Sequence, residues 1–310
     1  MLDPRRVLIF REIARAGSLA AAARNLGWTQ PAISQHLRQL ERDAGCPLVT
    51  RQARGVRLTE AGHVLLAHAD AIAARLRGAE QELSALADLN AGTVRMAAFP
   101  SGSAALVPRA MAHLADTHPG LDLRLREAEP PEAIELVRTG EVDLALVFDY
   151  RTPGRERELV FRELGDDPVR IVLPADHPAA PGPPAATTGA PALGSLAGER
   201  WIAGCERCSE HLYRVCAAAG FTPDVRHSTD DYVITQSLVA QGLGVALLPQ
   251  LALDSYHRPD VVVRDLVEVG HRRIFLAHHR ETSHLPAVAA AARSLTRAHT
   301  DARTRIISDR

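Results

Sequence analysis

The chain reads as α/β overall. A small, mostly α N-terminal module comes first, then one long helix, then a C-terminal part in which strands and helices alternate. Three observations predict this. Residues 18–62 contain two short amphipathic helices around a tight turn, followed by two strand-like runs around an arginine-bearing turn. Residues 60–90 lack proline and repeat apolar positions at intervals of four and three. After Gly92 strand periods and helix periods follow one another almost to the end of the 310 residues. With 46% apolar residues the chain has material for sizeable cores, and its length suits two or three domains.

The N-terminal elements can be justified residue by residue. Ser18 suits an N-cap and directly follows Gly17, a stop for the helix before it. Ala21, Ala22 and Leu26 give the next helix a small apolar face, and Gly27 ends it. Thr29 is placed to cap a second helix whose opening turn tolerates Pro31. Ile33, Leu37 and Leu40 recur at helical spacing and face a core. The opposite face carries Gln30, Ser34, Gln35, Arg38 and Arg42. Gln and Arg side chains can make paired hydrogen bonds to adenine and guanine edges in a major groove. Two helices so joined form a helix-turn-helix. Leu48-Val49-Thr50 and Val56-Arg57-Leu58 then read as the strands of a wing whose tip holds Arg51 and Arg54. Residues 1–60 hold ten arginines against five acidic residues, whereas the whole chain has a net charge of −1. Positive charge gathered at one end of a near-neutral protein suits a phosphate-binding module, with the tip arginines on the backbone or in the minor groove.

The spacing of Ser18, Leu26, Thr29-Gln30-Pro31-Ala32-Ile33-Ser34, Leu37, Leu40-Glu41, Gly45, Leu48, Arg51, Arg54, Leu58-Thr59 and Ala61-Gly62 resembles the LysR-type transcriptional regulators. Two positions depart from that pattern: Val49 stands where the family usually has Phe, and Thr29 where it often has Ser. The resemblance implies a DNA-binding regulator with Ser18, Thr29, Gln30, Pro31, Ser34, Gln35 and Arg38 at the groove. It also implies double-stranded DNA with a pseudo-palindromic operator as partner, a homotetramer built as a dimer of dimers, and RNA polymerase as a further candidate partner.

Leu65, Ala69, Ile72, Leu76, Ala79, Leu83 and Leu86 form a heptad seam along residues 61–91. A long helix packed on its own body would also fit. Beside a DNA-reading module, a two-chain seam is preferred, because a dimer sets two recognition helices in successive grooves. Asn90-Ala91-Gly92 ends the helix as a hinge.

Beyond the hinge, strands are expected at Val94–Ala98, Leu121–Arg126, Asp143–Phe148, Val169–Leu173, Val225–His227 and Gly244–Leu248. Helices are expected at Ser103–Thr117, Pro131–Thr139, Glu206–Ala219 and Tyr232–Gln241. This alternation predicts parallel sheet with helices on both faces. Pro178–Pro191 reads as a low-complexity surface loop. The region resembles the LysR-type effector domain, whose two-lobed fold is that of type 2 periplasmic binding proteins. Residues 92–300 would form it, with lobe I at about 92–165 and 268–300 and lobe II at about 166–267. The chain would cross near Leu164–Pro168 and Asp265–Gly270, return as a strand at Arg272–His278, close with a helix at Leu285–His299, and end in a frayed tail over 301–310.

Ligands of such sheets sit beyond the carboxyl ends of strands. The candidate effector set is Pro100, Ser101, Gly102, Ser103, Ala128, Phe148, Gly204, Cys205, Glu206 and Thr229. Ser101 and Ser103 open a helix and suit an anionic small-molecule effector, although either serine could simply cap its helix.

Cys205-Glu206-Arg207-Cys208, with His211 and Cys216 beyond, admits a redox-active pair or a zinc site; buried, inert thiols are the preferred reading. Cys208 and Cys216 lie two helical turns apart, about 12 Å, too far to pair. No phosphate loop, nucleophile elbow or His-Glu-x-x-His appears, so no enzyme, catalytic residue, metal or cofactor is expected. An enzyme or a solute-binding protein of the two-lobed fold is the alternative from another class. The start Met1-Leu2-Asp3-Pro4 shows no signal peptide, and the two long uncharged stretches are broken by Pro, Gly and Gln. A cytoplasmic protein with no membrane partner is expected.

Overall fold

Asp3, Ser18 and Thr29 stand where three helices begin. In the computed structural model, which describes residues 1–52, 55–87, 92–151, 154, 158–180, 192–282 and 285–308, these are α1 (Pro4–Ala16), α2 (Leu19–Leu26) and α3 (Gln30–Ala44). Asp3 accepts the Arg5 amide at 2.9 Å, and the Ser18 hydroxyl accepts the Ala21 amide at 3.1 Å. Thr29 differs from expectation. It holds the extended N-cap backbone, but its hydroxyl makes no capping bond.

The wing follows as β1 (Val49–Gln52) and β2 (Gly55–Leu58), antiparallel with Val49 opposite Leu58. Its seat depends on two glycines. The Val56 amide donates to the Gly17 carbonyl at 2.9 Å, and a Cβ on Gly55 would lie 2.4 Å from that same oxygen. Gly55 also has φ +144, which disfavours a side chain there. The turn before α2 therefore anchors the wing.

The long helix α4 (Glu60–Ala87) begins in the same core. Leu65 and Ala69 are buried with Phe10, Ile13, Ile33, Leu37, Leu40 and Leu48. This corrects the heptad reading at its first positions, because apolar burial nearer in sequence claims them. Farther along the seam, Leu76 and Leu83 are 48% and 67% exposed. The side chain of Leu86, and Asn90 and Ala91 of the expected hinge, lie outside the described residues. Gly92 is already the first residue of a strand.

A second unit begins near the end of α4. Its first half holds β3 (Gly92–Ala98), α5 (Pro100–Ala105), α6 (Val107–Thr117), β4 (Leu121–Glu127), α7 (Pro130–Arg138) and β5 (Leu144–Asp149). The helix expected over Ser103–Thr117 is broken at Leu106. Pro108, which lacks an amide hydrogen, sits in the opening turn of α6.

Next come β6 (Leu159–Pro174), β7 (Arg200–Ala203), α8 (Glu206–Ala218), β8 (Asp224–Ser228), α9 (Tyr232–Ala240), β9 (Val245–Pro249), α10 (Gln250–Ser255), β10 (Val261–Asp265), β11 (His271–His279) and α11 (Pro286–Ser308). The strand order is β4-β3-β5-β11-β6-β9-β7-β8, with β10 also on β6. β4, β3 and β5 are parallel, as are β8, β7 and β9, so the expected parallel pattern holds in each lobe. The strands between them, β6 and β11, pair antiparallel to their neighbours, making the whole sheet mixed.

The first crossing is one continuous strand. Residues 159–168 of β6 pair with β11 in lobe I, and residues 169–174 pair with β9 and β10 in lobe II. The Val169 amide donates to the Gly270 carbonyl at 3.0 Å, tying the two crossings together.

Both sheet faces are covered, which explains the near-continuous apolar strands. On β5, Leu144, Leu146 and Phe148 pack with α6 and α11, while Ala145 and Val147 face α7. In lobe II, Trp201 and Cys216 share one core and Ile202 and Val239 another. The frayed tail is also corrected. α11 runs to Ser308, and Ala298 and Ala302 are buried in the lobe I core, so alanine packing carries the helix past its expected end. Of the Pro178–Pro191 loop, residues 181–191 lie outside the described residues.

Candidate functional site

On α3, Ile33, Leu37 and Leu40 are buried, which turns the polar positions outward. Gln30, Pro31, Gln35, Arg38 and Arg42 are exposed, and Ser34 is half-buried. Positions 31, 34, 35, 38 and 42 fall on one side of the helix at steps of three and four. Ser18 is committed to its capping bond, while the Thr29 hydroxyl is not. In the wing, the side chain of Arg51 and all of Arg54 lie outside the described residues. Arg57 on β2 is exposed and adds a cation to the wing that its place in a strand-like run does not announce. Its alternation with half-buried Val56 and Leu58 was the available signal.

The second candidate lies in the C-terminal unit, where the carboxyl ends of β3, β5 and β7 meet the start of α9. A cavity of about 50 Å³ opens there, bounded by Phe99, Pro100, Ser101, Glu129, Phe148, Gly204, Cys205, Cys208, Thr229, Tyr232 and Arg272 among others. Arg272 arrives from β11 and organises the floor. Its guanidinium donates to Asp167 at 2.9 Å and to Ser101 Oγ at 2.7 Å. The rings of Phe99 and Phe148 flank it, with centroids 4.8 and 4.2 Å away. Arg272 and Asp167 are both about 2% exposed, so the charges neutralise each other in a dry setting. Burial pushes the Glu129 carboxyl up from its ordinary range.

The thiols of Cys205 and Cys208 lie 3.1 Å apart on the cavity wall. The Tyr150 hydroxyl donates to Cys208 Sγ at 3.7 Å. The hydrogen bond from Cys205, helped by the charge of Arg272, holds the Cys208 thiol below its ordinary value, and the same bond together with burial pushes Cys205 up. Cys216 is fully buried in the lobe II core, and His211 is bonded to the Val269 carbonyl at 2.9 Å. Among the described residues no group of three or more His, Cys, Asp or Glu side chains is placed to hold a metal ion.

Two family descriptions match this chain. One, "Bacterial regulatory helix-turn-helix protein, lysR family", covers residues 4–63; the other, "LysR substrate binding domain", covers residues 87–300. The chain belongs to the LysR family of transcriptional regulators. Regulators of this family bind DNA and are modulated by small-molecule effectors.

YybE of Bacillus subtilis, an HTH-type transcriptional regulator, is 26% identical over 247 residues, 78% of this chain and 80% of its own length. The RuBisCO operon transcriptional regulator of Allochromatium vinosum is 33% identical over 176 residues, so that alignment spans only 57% of each chain. Among solved structures, a full-length OxyR variant from Pseudomonas aeruginosa superposes with a TM-score of 0.68 at 22% identity, covering 96% of this chain and 95% of that one. CbnR, a LysR family transcriptional regulator, gives 0.61 at 19%, covering 96% and 99%. At these identities the likeness is one of fold. The mixed α/β architecture is that of full-length LysR regulators.

Within this LysR-family effector domain, Pro100, Ser101, Phe148, Gly204, Cys205 and Thr229 of the candidate set share the cavity. Four others do not. Gly102 is a packing glycine whose added Cβ would meet Leu146 and Phe99 at 2.8 Å. The Ser103 hydroxyl bonds back to the Ala98 carbonyl, and its side chain borders a separate groove beside Asp230 and Tyr232. Ala128 is buried with Ala133 and Val147 behind the sheet, and Glu206 borders an outer groove with Arg207 and Glu210. Missed as lining residues were Phe99, Cys208 and Arg272, with Tyr150 bonding Cys208 from the outer groove. Cys208 was visible as half of a Cys-x-x-Cys, but no local signal marks Arg272, which lies 171 residues from Ser101.

Proposed function

We propose that this chain regulates transcription in the cytoplasm as an oligomer on a pseudo-palindromic operator, without catalysing a reaction. In this reading residues 1–60 dock on DNA, residues 61–91 pair two chains, and residues 92–300 take the effector. Gln30, Pro31, Ser34, Gln35 and Arg38 face base edges. Arg51, Arg54 and Arg57 meet phosphates or the minor groove. The observation that carries the reading is the exposed polar row on α3, whose buried face is fixed by α1 and α2, beside an arginine-bearing wing. Among the described residues no helix is long and apolar enough to cross a membrane.

The effector's polarity follows from the cavity lining. Its cation, Arg272, is already paired with Asp167, while Glu129 and Asp230 also border it. Among the described residues an anionic effector therefore meets no unpaired cation there, and a neutral or hydrogen-bond-donating one fits better. At about 50 Å³ the cavity opens before it admits a metabolite, being a third of the ~150 Å³ cavity that holds benzene.

Binding to operator DNA, followed against salt, tests the assignment. The intact protein should bind specifically with a steep negative salt slope. Gln30→Ala should cost about 1–3 kcal/mol at one base pair and relax specificity there. Arg54→Ala should weaken all sequences alike and flatten the slope. Uniform losses in both variants would refute the division between reading and positioning residues, and no binding at low salt would refute the function.

A further inference from the structure

We propose that Cys205 and Cys208 form a dithiol–disulfide site on the wall of the effector-domain cavity, oxidised by a small hydroperoxide and restored by a dithiol. The thiol chemistry stands on the cavity's own geometry. Only its consequence for DNA binding rests on the regulator reading above.

The pair is preset for bond formation. Cys205 is the N-cap of α8 and Cys208 lies one turn further on, with the sulfurs 3.1 Å apart. A disulfide requires about 2.0 Å, so roughly 1 Å of side-chain motion closes it without unwinding the helix. Gly204 keeps the approach tight: a Cβ there would lie 3.1 Å from the Cys208 Cβ. Neither of the other cysteines borders the cavity. Cys216 is fully buried against Trp201, and Cys46 packs in the N-terminal core.

Size selects the oxidant. Before it opens, the cavity of about 50 Å³ is smaller than the ~150 Å³ one that holds benzene but exceeds the ~10–15 Å³ that one water requires. Hydrogen peroxide falls between these limits. Polarity selects the attacking sulfur. Cys208 accepts hydrogen bonds from the Cys205 thiol and the Tyr150 hydroxyl and lies in the field of Arg272. Burial and the Glu129 charge oppose ionisation of either sulfur, and these contacts favour Cys208 over Cys205 as the one that ionises.

The reaction then balances. The Cys208 thiolate attacks one peroxide oxygen, an S–O bond forms as the O–O bond breaks, and the departing hydroxide takes a proton to leave as water. Cys205, losing its proton, attacks the Cys208 sulfenic sulfur. The S–S bond forms as the S–O bond breaks, and a second water leaves. Two thiols have given two electrons to one peroxide. An added dithiol reverses the sulfur chemistry by exchange, itself becoming a disulfide.

The test uses the full-length protein and stoichiometric hydrogen peroxide. The expected product has lost two hydrogens in intact mass, carries a peptide cross-link between Cys205 and Cys208, and returns to the starting mass with dithiothreitol. In Cys205→Ser, dimedone should label Cys208 after peroxide, and Cys216→Ser should behave as the parent. The wild-type mass measurement needs no variant to fold. Two free thiols after peroxide, a link to Cys216 or between chains, or a dimedone label on Cys205 in Cys208→Ser but none on Cys208 in Cys205→Ser would overturn the proposal. None of these readouts requires DNA, so failure of the regulator reading would show separately, as absent operator binding.

Discussion

At the residue scale, Arg272 carries more of the effector domain than any local pattern around it suggests. It joins β11 to α5 through Ser101 and to β6 through Asp167, and two phenylalanines enclose its charge. Removing the guanidinium strands a carboxylate that is about 2% exposed. Arg272→Met is expected to lower stability by about 3–5 kcal/mol in urea unfolding; a loss below about 1 kcal/mol would mean that Asp167 is neutral in the fold. His211 gives a pH signature. Its Nε2 donates to the Val269 carbonyl, its Nδ1 accepts from Arg214, and its ring stacks on Tyr150 at 3.8 Å. Burial and the Arg214 charge push it down to about 4 from 6.5. Between those values the unfolded chain binds the proton more readily, so stability from this group is complete above pH 6.5 and is lost as pH falls toward 4. The loss amounts to at most ~3 kcal/mol. Thermal unfolding from pH 7 to 4 should show this drop in the parent and less of it in His211→Gln.

At the element scale, α4 answers to two demands that a heptad count merges into one. Its first turns complete the N-terminal core through Leu65 and Ala69, whereas Leu76 and Leu83 present apolar surface to solvent. Leu65→Ala should therefore cost about 2–5 kcal/mol of stability as a cavity in that core. Leu83→Glu should leave thermal stability nearly unchanged while raising the dimer dissociation constant at least tenfold by sedimentation velocity. Equal dimer loss in both variants would argue against this division. Most elements were legible because their signals are local: caps, breaks and apolar periods within a few residues. β7, β10, α10 and the first half of β6 were not; the strand character of Leu159–Pro168, for one, depends on pairing with β11 a hundred residues later. The candidate site divided in the same way. Strand ends located six of its lining residues, but the direction each side chain takes is set by packing, which turned Ala128 and Gly102 into the core.

At the scale of the molecule, the chain combines a positively charged reading module with a two-lobed domain whose crossings are joined by the β6–β11 ladder and by the backbone bond from Val169 to Gly270. The proposed homotetramer on a pseudo-palindromic operator should appear in sedimentation as four chains per duplex; a stable complex of one chain per duplex would remove the case for a paired α4. The amino-acid order alone determined the helix-turn-helix with its polar face, the long helix, and the strand–helix alternation. These follow from steric and hydrophobic periods that act within a few residues. Only the tertiary structure decided which half of α4 is already buried, that β6 serves both lobes, and that Arg272 and the two thiols share one cavity, with Asp167 paired to the arginine and Tyr150 bonded to Cys208. Those outcomes depend on contacts between residues far apart in the chain, and burial, which sets the charge and reactivity of each group, exists only once those contacts form.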